Sequence, residues 1–233
     1  MIKAVLFDLW NTLIYSDPEG SVRSEGGVLD FLRSSKPELS LGEYRNARKK
    51  YHYETTTGRM SRLEGNRRIL LDLGVDGRNL QEFSRMLQNA FVANAKAYDG
   101  AKELLSALKH EGLLLGLVSN CGEGTRELLN DSGLDVFFDS FGLSNEVGVR
   151  KPDAKIYMEV VDELKVKPNE CVFVSDEVKD DLLGAKTLGM RTIYAALGIK
   201  WLPYDLEEKG MSITPDASVS TLMGVLDVVR GWR

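Results

Sequence analysis

The sequence has few features of secreted, membrane-bound or nucleic-acid-binding proteins. Only two cysteines, Cys121 and Cys171, occur among 233 residues, which excludes a disulfide framework or a cysteine-rich zinc site. The longest apolar run, near residues 113–118, is far too short to cross a bilayer, and the N-terminus lacks the order of a signal peptide. The net charge of −5 gives no general attraction to nucleic acid or anionic membrane. We therefore expect a cytoplasmic protein with neither of these partners.

The composition is that of a soluble globular protein. Hydrophobic residues make up 43% of the chain and charged residues 28%, which is ordinary for a folded domain. A chain of 233 residues buries a sizeable core and leaves room for a smaller second domain. We expect both cysteines to be buried as small apolar residues.

Helical and strand-like patterns alternate from about residue 96 onward. Apolar residues with helical spacing precede short apolar runs that are typical of buried strands. The expected helices cover residues 101–108, 156–164, 180–190 and 219–229, and the expected strands cover 113–120, 171–174 and 191–195. Together with a first strand at residues 3–8, this order predicts an α/β fold with a doubly wound parallel sheet.

The segment from about residue 16 to 95 interrupts this order. It contains no alternating strand pattern, and Leu80, Phe83, Leu87 and Phe91 keep the spacing of one helix face. We therefore expect a smaller, all-helical domain at residues 16–95, inserted into an α/β core formed by residues 1–15 and 96–233.

The first strand runs directly into a carboxylate. In the sequence AVLFDLWNTL, an apolar run ends at Asp8, which therefore falls at the carboxyl end of a parallel strand, where open α/β sheets bind ligands. An acid in this position is often only a turn or helix-capping residue. Three later segments favour a functional role.

The second and third segments carry groups that suit an anion. Ser119 and Asn120 follow a strand, and with the N-terminus of the next helix they offer hydrogen bonds to a tetrahedral anion. Lys151 precedes Pro152 in a turn, and an ammonium there would hold Asp8 ionised if it points at this carboxylate. Simple capping and a solvated lysine are the alternative explanations.

The fourth segment, VFVSDEVKDD, runs from a buried strand into a dense group of acids that includes Asp176 and Asp181. Carboxylates so close together repel each other unless a cation lies among them. Hard oxygen ligands of this kind suit Mg²⁺, which is commonly bound by one or two carboxylates together with substrate phosphate.

In this order, the four segments resemble the motifs of the haloacid dehalogenase superfamily of hydrolases. The resemblance rests on FDLWNTL, VSN, SNEVGVRKPDAKIY and VSDEVKDDLLGAKTLGM. It implies that Asp8 is the nucleophile that attacks phosphorus or carbon. It also implies that residues 16–95 are a mobile cap that closes over the substrate. By the same resemblance, the group that is transferred is held by Thr12, Ser119, Asn120 and Lys151, and Mg²⁺ is bound by Asp8, the backbone carbonyl of Trp10, Asp176 and Asp181.

One position departs from the family pattern. Phosphatases of this family usually carry a second aspartate two residues after the nucleophile, where it protonates the leaving group, but here the residue is Trp10. Metal binding should survive, because the family uses the backbone carbonyl at this position. Asn11 replaces the usual glycine, and asparagine tolerates left-handed backbone better than other side chains do.

Three functions remain open from these residues. The first is a Mg²⁺-dependent phosphatase acting on a small phosphate ester, whose leaving group must depart without a proton. The second is a 2-haloacid dehalogenase, because that branch has an aromatic residue at the position of Trp10. Dehalogenases, however, use no metal and have serine at the position of Asp176 and asparagine at the position of Val178, which favours the phosphatase. The third is a phosphate-binding protein with weak catalysis. We expect a monomer or a small homo-oligomer.

A substitute acid from the helical segment would restore the missing proton donor. Glu19, His52 and Glu54 are the candidates. The stretch YHYETTTGRMSR, residues 51–62, combines aromatic, hydroxyl and arginine side chains around Gly58. We interpret it as an inter-helix loop that reads the substrate, with an ordinary exposed linker as the alternative.

Overall fold

The structure, a computed structural model, describes residues 1–198 and 213–233. Residues 199–212 of the predicted core therefore lie outside the described residues. The strands are β1 (Ala4–Phe7), β2 (Ile14–Ser16), β3 (Ala95–Ala97), β4 (Leu114–Ser119), β5 (Ser140–Leu143), β6 (Cys171–Ser175), β7 (Arg191–Ala195) and β8 (Ala217–Val219). The helices are α1 (Pro18–Arg33), α2 (Leu41–Thr56), α3 (Arg62–Asp72), α4 (Leu80–Asn94), α5 (Ala101–His110), α6 (Thr125–Ser132), α7 (Ser144–Val147), α8 (Ala154–Glu163), α9 (Leu183–Thr187) and α10 (Leu222–Gly231). Short 3₁₀ turns cover Gly77–Asn79, Asp135–Phe137 and Pro168–Glu170, and a π-helical turn covers Val178–Leu182.

In the part of the chain that the structure describes, six parallel strands form the central sheet in the order β5-β4-β1-β6-β7-β8. Side chains of β1 alternate between its two faces, because a strand has a period of two residues. Val5 and Phe7 pack in one cluster with residues of α5 and α10, whereas Ala4 and Leu6 pack in another with residues of α8 and α9. Both faces of the sheet are thus covered by helices, and the predicted doubly wound α/β fold is confirmed.

The position of β1 determines where a ligand site can form. This strand lies between β4 and β6, with Phe7 paired with both Leu117 and Val174. The residues that follow β1, β4 and β6 therefore meet at one edge, which we call the carboxyl edge of the sheet. Open α/β sheets bind ligands at such an edge, where the strand order reverses.

Helices α1 to α4, which we call the helical insert, have a hydrophobic cluster of their own. Val28, Leu32, Tyr44, Leu70 and Phe83 are among its buried members. These helices form because apolar residues recur every three to four positions. The side chains of Asp17, Ser40 and Ser61 cap the starts of α1, α2 and α3.

The expectation that residues 16–95 contain no strand is wrong at both ends. Ser16 pairs with Ala95 and Ile14 with Ala97, so β2 and β3 form a two-stranded antiparallel ribbon where the chain enters and leaves the helical insert. Strands of three residues are too short to show an alternating pattern in the sequence. Residues 51–56 are also helical rather than part of a loop, because they form the last turns of α2.

Two smaller expectations can be compared directly with the structure. Cys121 and Cys171 are free and buried, as predicted. Among residues 1–198 and 213–233, no helix combines the length and the apolar character that a bilayer-spanning segment needs.

Candidate active site

Asp8 follows β1 directly and is held in a turn at the carboxyl edge of the sheet. Its backbone N–H donates to the carbonyl of Val174 at 2.9 Å, and the residue is 5% exposed. Thr12, which is fully buried, donates from Oγ1 to Asp8 Oδ2 at 3.2 Å. Asn11 has a φ of 56°, so the left-handed backbone that we expected at this position is present. The turn thus folds Thr12 back onto the carboxylate of Asp8.

Lys151 lies between two buried carboxylates. Its Nζ is 2.5 Å from Asp8 Oδ1 and 2.5 Å from Asp181 Oδ2. Burial opposes the charge on the ammonium, but the carboxylates of Asp181 and Asp8 raise the pKa of Lys151 above the ordinary lysine value. Lys151 is therefore a fixed cation beside the predicted nucleophile, and the alternative of a solvated lysine does not apply.

Asn120 holds the backbone of the loop that carries Lys151. The N–H of Lys151 donates to Asn120 Oδ1 at 2.8 Å, and Asn120 Nδ2 donates to the carbonyl of Lys151 at 3.4 Å. Both ends of the Asn120 amide are thus engaged with the main chain. The structure gives Asn120 a positioning role, and direct phosphate binding by this residue stays a prediction.

Ser119 is the last residue of β4 and is fully buried. Its Oγ has no hydrogen-bond partner among the described residues. Glu54 Oε2 is the only other buried side-chain atom of those residues that lacks one. A buried polar group without a partner costs about 1–3 kcal/mol. A group at a strand end that faces this cost is suited to hydrogen bonding with a ligand.

The acidic segment after β6 is organised by Glu177. Its carboxylate accepts hydrogen bonds from the backbone N–H groups of Lys179, Asp180 and Asp181 at 2.7–2.9 Å, so it caps the π-helical turn. Sequence reasoning missed this role, although an acid just before a helix start is a recognised capping signal. The cap turns Asp181 inward, where Ser175 Oγ donates to Asp181 Oδ2 at 2.7 Å.

The predicted metal ligands converge only in part. Asp8 and Asp181 share Lys151, and the backbone N–H of Asp176 donates to Thr12 Oγ1 at 3.1 Å. Among residues 1–198 and 213–233, no group of three His, Cys, Asp or Glu side chains is placed to hold a metal ion. Two carboxylates still fit Mg²⁺ by chemical type, since this ion commonly takes one or two carboxylates and completes its shell with water and substrate phosphate.

Burial affects the charge state of Asp181. Desolvation, together with the neighbouring carboxylate of Asp8, raises the pKa of this carboxyl above its ordinary value, although Lys151 and Ser175 act in the opposite direction. Two buried carboxylates thus share the ammonium of Lys151.

A cavity of about 380 Å³, which we call the insert cavity, lies between the carboxyl edge of the sheet and the helical insert. From the core it is lined by Trp10, Asn11, Asn120, Cys121 and Gly122. The remaining lining comes from β2, α1, α2 and α4, and consists of Ser16, Ser21, Ser24, Glu25, Val28, Tyr44, Arg48, His52, Thr56, Leu87, Ala90, Phe91 and Asn94. The cavity is therefore next to residues that flank Asp8 and Ser119 in the chain.

Only one of the three predicted replacement acids, His52, lines the insert cavity, whereas Glu19 and Glu54 do not. Desolvation, together with the positive charges of Arg150 and Arg48, lowers the pKa of His52 to about 4. The imidazole is therefore neutral at pH 7. Sequence reasoning missed Glu25, which lines the cavity but forms a bidentate ion pair with Arg45 at 2.7 and 3.0 Å.

The end of α2 is attached to the core beside the site. Ser144 Oγ lies 2.6 Å from the carbonyl of Thr56, to which it donates, and accepts the N–H of Cys121 at 2.8 Å. Arg150 Nη1 donates to Thr56 Oγ1 at 3.0 Å. Two members of the 51–62 segment, His52 and Thr56, line the insert cavity, and its role in substrate reading stays a prediction.

Replacing Ser144 by Ala is expected to lower the free energy of unfolding by about 1–3 kcal/mol. The substitution leaves the N–H of Cys121 and the carbonyl of Thr56 buried without this partner. Urea denaturation measures the change. Ser34→Ala is the matched control, since the exposed Ser34 hydroxyl bonds only its own helix at Phe31, and should change stability by less than about 0.5 kcal/mol. Equal changes in the free energy of unfolding for the two variants would show that the hydrogen bonds of Ser144 do not stabilise the fold.

Comparisons with known proteins show which family the chain belongs to. A family model described as haloacid dehalogenase-like hydrolase matches residues 2–189. The chain therefore belongs to the haloacid dehalogenase-like hydrolase family, and the resemblance found in its motifs is confirmed.

Curated relatives match over nearly the whole chain. The glyceraldehyde 3-phosphate phosphatase of Pyrococcus furiosus is 27% identical over 240 residues, covering 99% of this chain and 95% of its own length. The glyceraldehyde 3-phosphate phosphatase of Methanopyrus kandleri is 30% identical over 236 residues, with coverage of 99% and 98%.

Solved structures share the fold. A HAD phosphatase from Thermococcus onnurineus aligns with a TM-score of 0.69 at 23% identity, covering 99% of both chains. A 2-haloacid dehalogenase from Pseudomonas syringae aligns with a TM-score of 0.72 at 23% identity over the whole of both chains. Phosphatases and dehalogenases therefore both have this fold, and the fold does not distinguish the two reactions.

Proposed function

We propose that this hydrolase is a Mg²⁺-dependent phosphatase. It acts on a small phosphorylated metabolite through an aspartyl-phosphate intermediate, with Trp10 in place of the usual general acid. The full-length relatives that are named phosphatases support this proposal. The observation that carries it is the buried Ser119 hydroxyl, which has no hydrogen-bond partner among the described residues. A phosphoryl oxygen would accept this hydrogen bond, while Lys151 beside Asp8 offsets the charge of the transferred group.

The reaction proceeds in two displacements. An oxygen of the Asp8 carboxylate attacks phosphorus, the bond from phosphorus to the ester oxygen breaks, and the leaving group departs with the electron pair. Water then attacks phosphorus, the bond to Asp8 breaks, and inorganic phosphate leaves while the water proton passes to solvent. Lys151 stabilises the negative charge in both steps, and Asn120 keeps Lys151 in place through its backbone.

The metal would be held by Asp8, Asp181, Asp176 and the backbone carbonyl of Trp10. When bound, Mg²⁺ supplies Lewis-acid stabilisation of the charge on the phosphoryl oxygens. An excess of buried carboxylate over buried cation around Lys151 supports such a site.

We also propose that the helical insert acts as a cap over the site, with residues 1–15 and 96–233 as the core. Its separate hydrophobic cluster and the ribbon of β2 and β3 at its base support this division. The location of the insert cavity between the two parts supports the insert as a source of substrate contacts. A cytoplasmic location and a monomeric or small homo-oligomeric state stay predictions.

A screen of phosphate esters and 2-haloacids, each with and without Mg²⁺, tests the proposed function. We expect release of inorganic phosphate only in the presence of Mg²⁺. Halide release from a 2-haloacid without metal would overturn the proposal in favour of a dehalogenase. Tight phosphate binding without turnover of any compound would instead identify a binding protein.

Removal of the metal is expected to lower aryl phosphate hydrolysis by about 100-fold or more, because the Lewis acid contributes several kcal/mol of charge stabilisation. The measurement compares the rate after treatment with EDTA and after addition of excess Mg²⁺, which should restore activity. An unchanged rate after dialysis against the chelator would remove the metal from the mechanism.

A further inference from the structure

We infer that the insert cavity selects phosphate esters with a flat, conjugated leaving group, of the aryl or enol class. The inference rests on the proposed function, since it assigns the part of the substrate that departs when Asp8 is phosphorylated. It is carried by the side chains that line the cavity and by the contact between Trp10 and Phe91.

The geometry of phosphoryl transfer directs the leaving group into this cavity. The attacking and leaving oxygens lie roughly in line through phosphorus. Because Asp8 attacks from the carboxyl edge of the sheet, the ester oxygen points away from that edge. The insert cavity occupies the space on this side, between the loops that follow β1 and β4 and the helices of the insert.

The cavity has an aromatic and aliphatic wall. The ring of Trp10 packs against the ring of Phe91 with centroids 5.3 Å apart and an angle of 57° between the planes. Val28, Leu87 and Ala90 extend this apolar lining. A planar conjugated group packs well against such rings, and aromatic pairs are favoured beyond the area that they bury.

Several polar side chains of the lining are already paired within the protein. Ser16 and Ser21 share a hydrogen bond of 2.8 Å, and Asn94 Nδ2 donates to Ser24 Oγ at 3.0 Å. The carboxylate of Glu25 is held by Arg45. A chain of hydroxyl groups, as in a sugar phosphate, therefore meets several polar side chains that already have partners, whereas a flat apolar group meets the side chains of Trp10 and Phe91.

The absence of a general acid at position 10 favours the same leaving groups on chemical grounds. The indole of Trp10 does not protonate a leaving oxygen, so fast substrates are those whose leaving group is stable as an anion. Phenolates and enolates meet this requirement and are planar. The indole therefore both replaces the acid and forms part of the surface against which such a group packs.

The test compares phenyl phosphate, which carries a ring, with acetyl phosphate, whose leaving group is equally independent of an acid but has no ring. Phe91→Leu should lower kcat/KM for phenyl phosphate by about 2- to 10-fold, mainly through KM. The kcat/KM for acetyl phosphate should stay within about twofold of the value for the starting enzyme, because the acetate leaving group does not reach the ring of Phe91.

Phe141→Leu is the matched control. Phe141 packs against Phe138 and Arg126 and is not part of the cavity lining, so both rates should be retained.

Equal losses for both substrates in Phe91→Leu, or no loss for phenyl phosphate, would overturn the inference. A second measurement uses the unaltered enzyme. Phenylphosphonate should inhibit it at least about threefold more strongly than methylphosphonate does. Equal inhibition by the two compounds would also overturn the inference. Hydrolysis of acetyl phosphate together with these negative results would leave the proposed phosphatase intact. Failure to hydrolyse either phosphate with Mg²⁺ would instead refute the proposed function itself.

Discussion

Asp8→Asn is expected to abolish phosphate-ester hydrolysis, with a loss of about four orders of magnitude or more. The amide oxygen of asparagine is a very poor nucleophile, so the aspartyl-phosphate does not form. The substitution keeps the shape of the side chain, and Lys151 retains its second carboxylate partner, Asp181. We therefore expect the variant to fold, and thermal unfolding followed by circular dichroism should show this. The rate of phosphate release from an aryl phosphate with saturating Mg²⁺ measures the catalytic effect.

Asp180→Asn provides the control for Asp8→Asn. Asp180 is an exposed acid in the same dense group as Asp176 and Asp181, so its replacement removes one charge without touching the proposed nucleophile. Activity should stay within about threefold of the starting enzyme, as for a surface change away from the reacting atoms. A variant of Asp8 that retained turnover at the level of this control would show that another residue attacks the substrate.

Much of the α/β core could be predicted from the sequence, because strands buried on both faces appear as continuous apolar runs. β1, β6 and β7 fall within one or two residues of the predicted bounds. The same reasoning placed Asp8 and Ser119 at one edge, since the carboxyl ends of parallel strands meet there. The match of the four motifs to a known family then added Lys151 and Asp181 to the site.

Other features depend on contacts that local sequence patterns do not report. The ion pair of Lys151 with Asp8 joins residues 143 positions apart, and the clamp from Asn120 to the backbone of Lys151 is equally non-local. Helical spacing placed Phe91 on an apolar face, but the packing of α4 against the carboxyl edge decides that its ring meets Trp10. Glu25 was missed for the same reason, because its place in the cavity depends on how α1 packs.

The acidic segment shows how local capping changes a predicted site. The density of acids after β6 indicated several metal ligands, and each acid has a different role in the structure. Glu177 caps the π-helical turn through its side chain, and Asp181 turns inward to Lys151. Within the described residues, Asp176 does not complete a group of three side-chain ligands with them. Charge density thus predicted the location of the site better than its ligand set.

Trp10→Asp is expected to raise the turnover of alkyl phosphates by about 10²- to 10⁴-fold, which is the range that a positioned general acid contributes. Alkoxides are poor leaving groups, so their departure depends on a proton that the indole of Trp10 does not deliver. The new carboxyl stands two residues after Asp8, where phosphatases of this family usually carry their acid. Hydrolysis of glycerol phosphate, followed by phosphate release with Mg²⁺ across a range of pH, measures the gain.

Trp10→Asn separates the acid in Trp10→Asp from the loss of the indole. Asparagine has the size of aspartate, so both variants lose the packing of Trp10 on Phe91 and enlarge the insert cavity equally. Only the aspartate supplies a titratable proton, so only Trp10→Asp should accelerate the hydrolysis of alkyl phosphates. The kcat of this variant should fall at high pH, because the carboxyl group loses that proton. Both variants should lose part of their preference for aryl esters, because the aromatic wall is gone. If Trp10→Asn accelerated alkyl phosphates as much as Trp10→Asp, cavity size rather than the missing acid would limit these substrates.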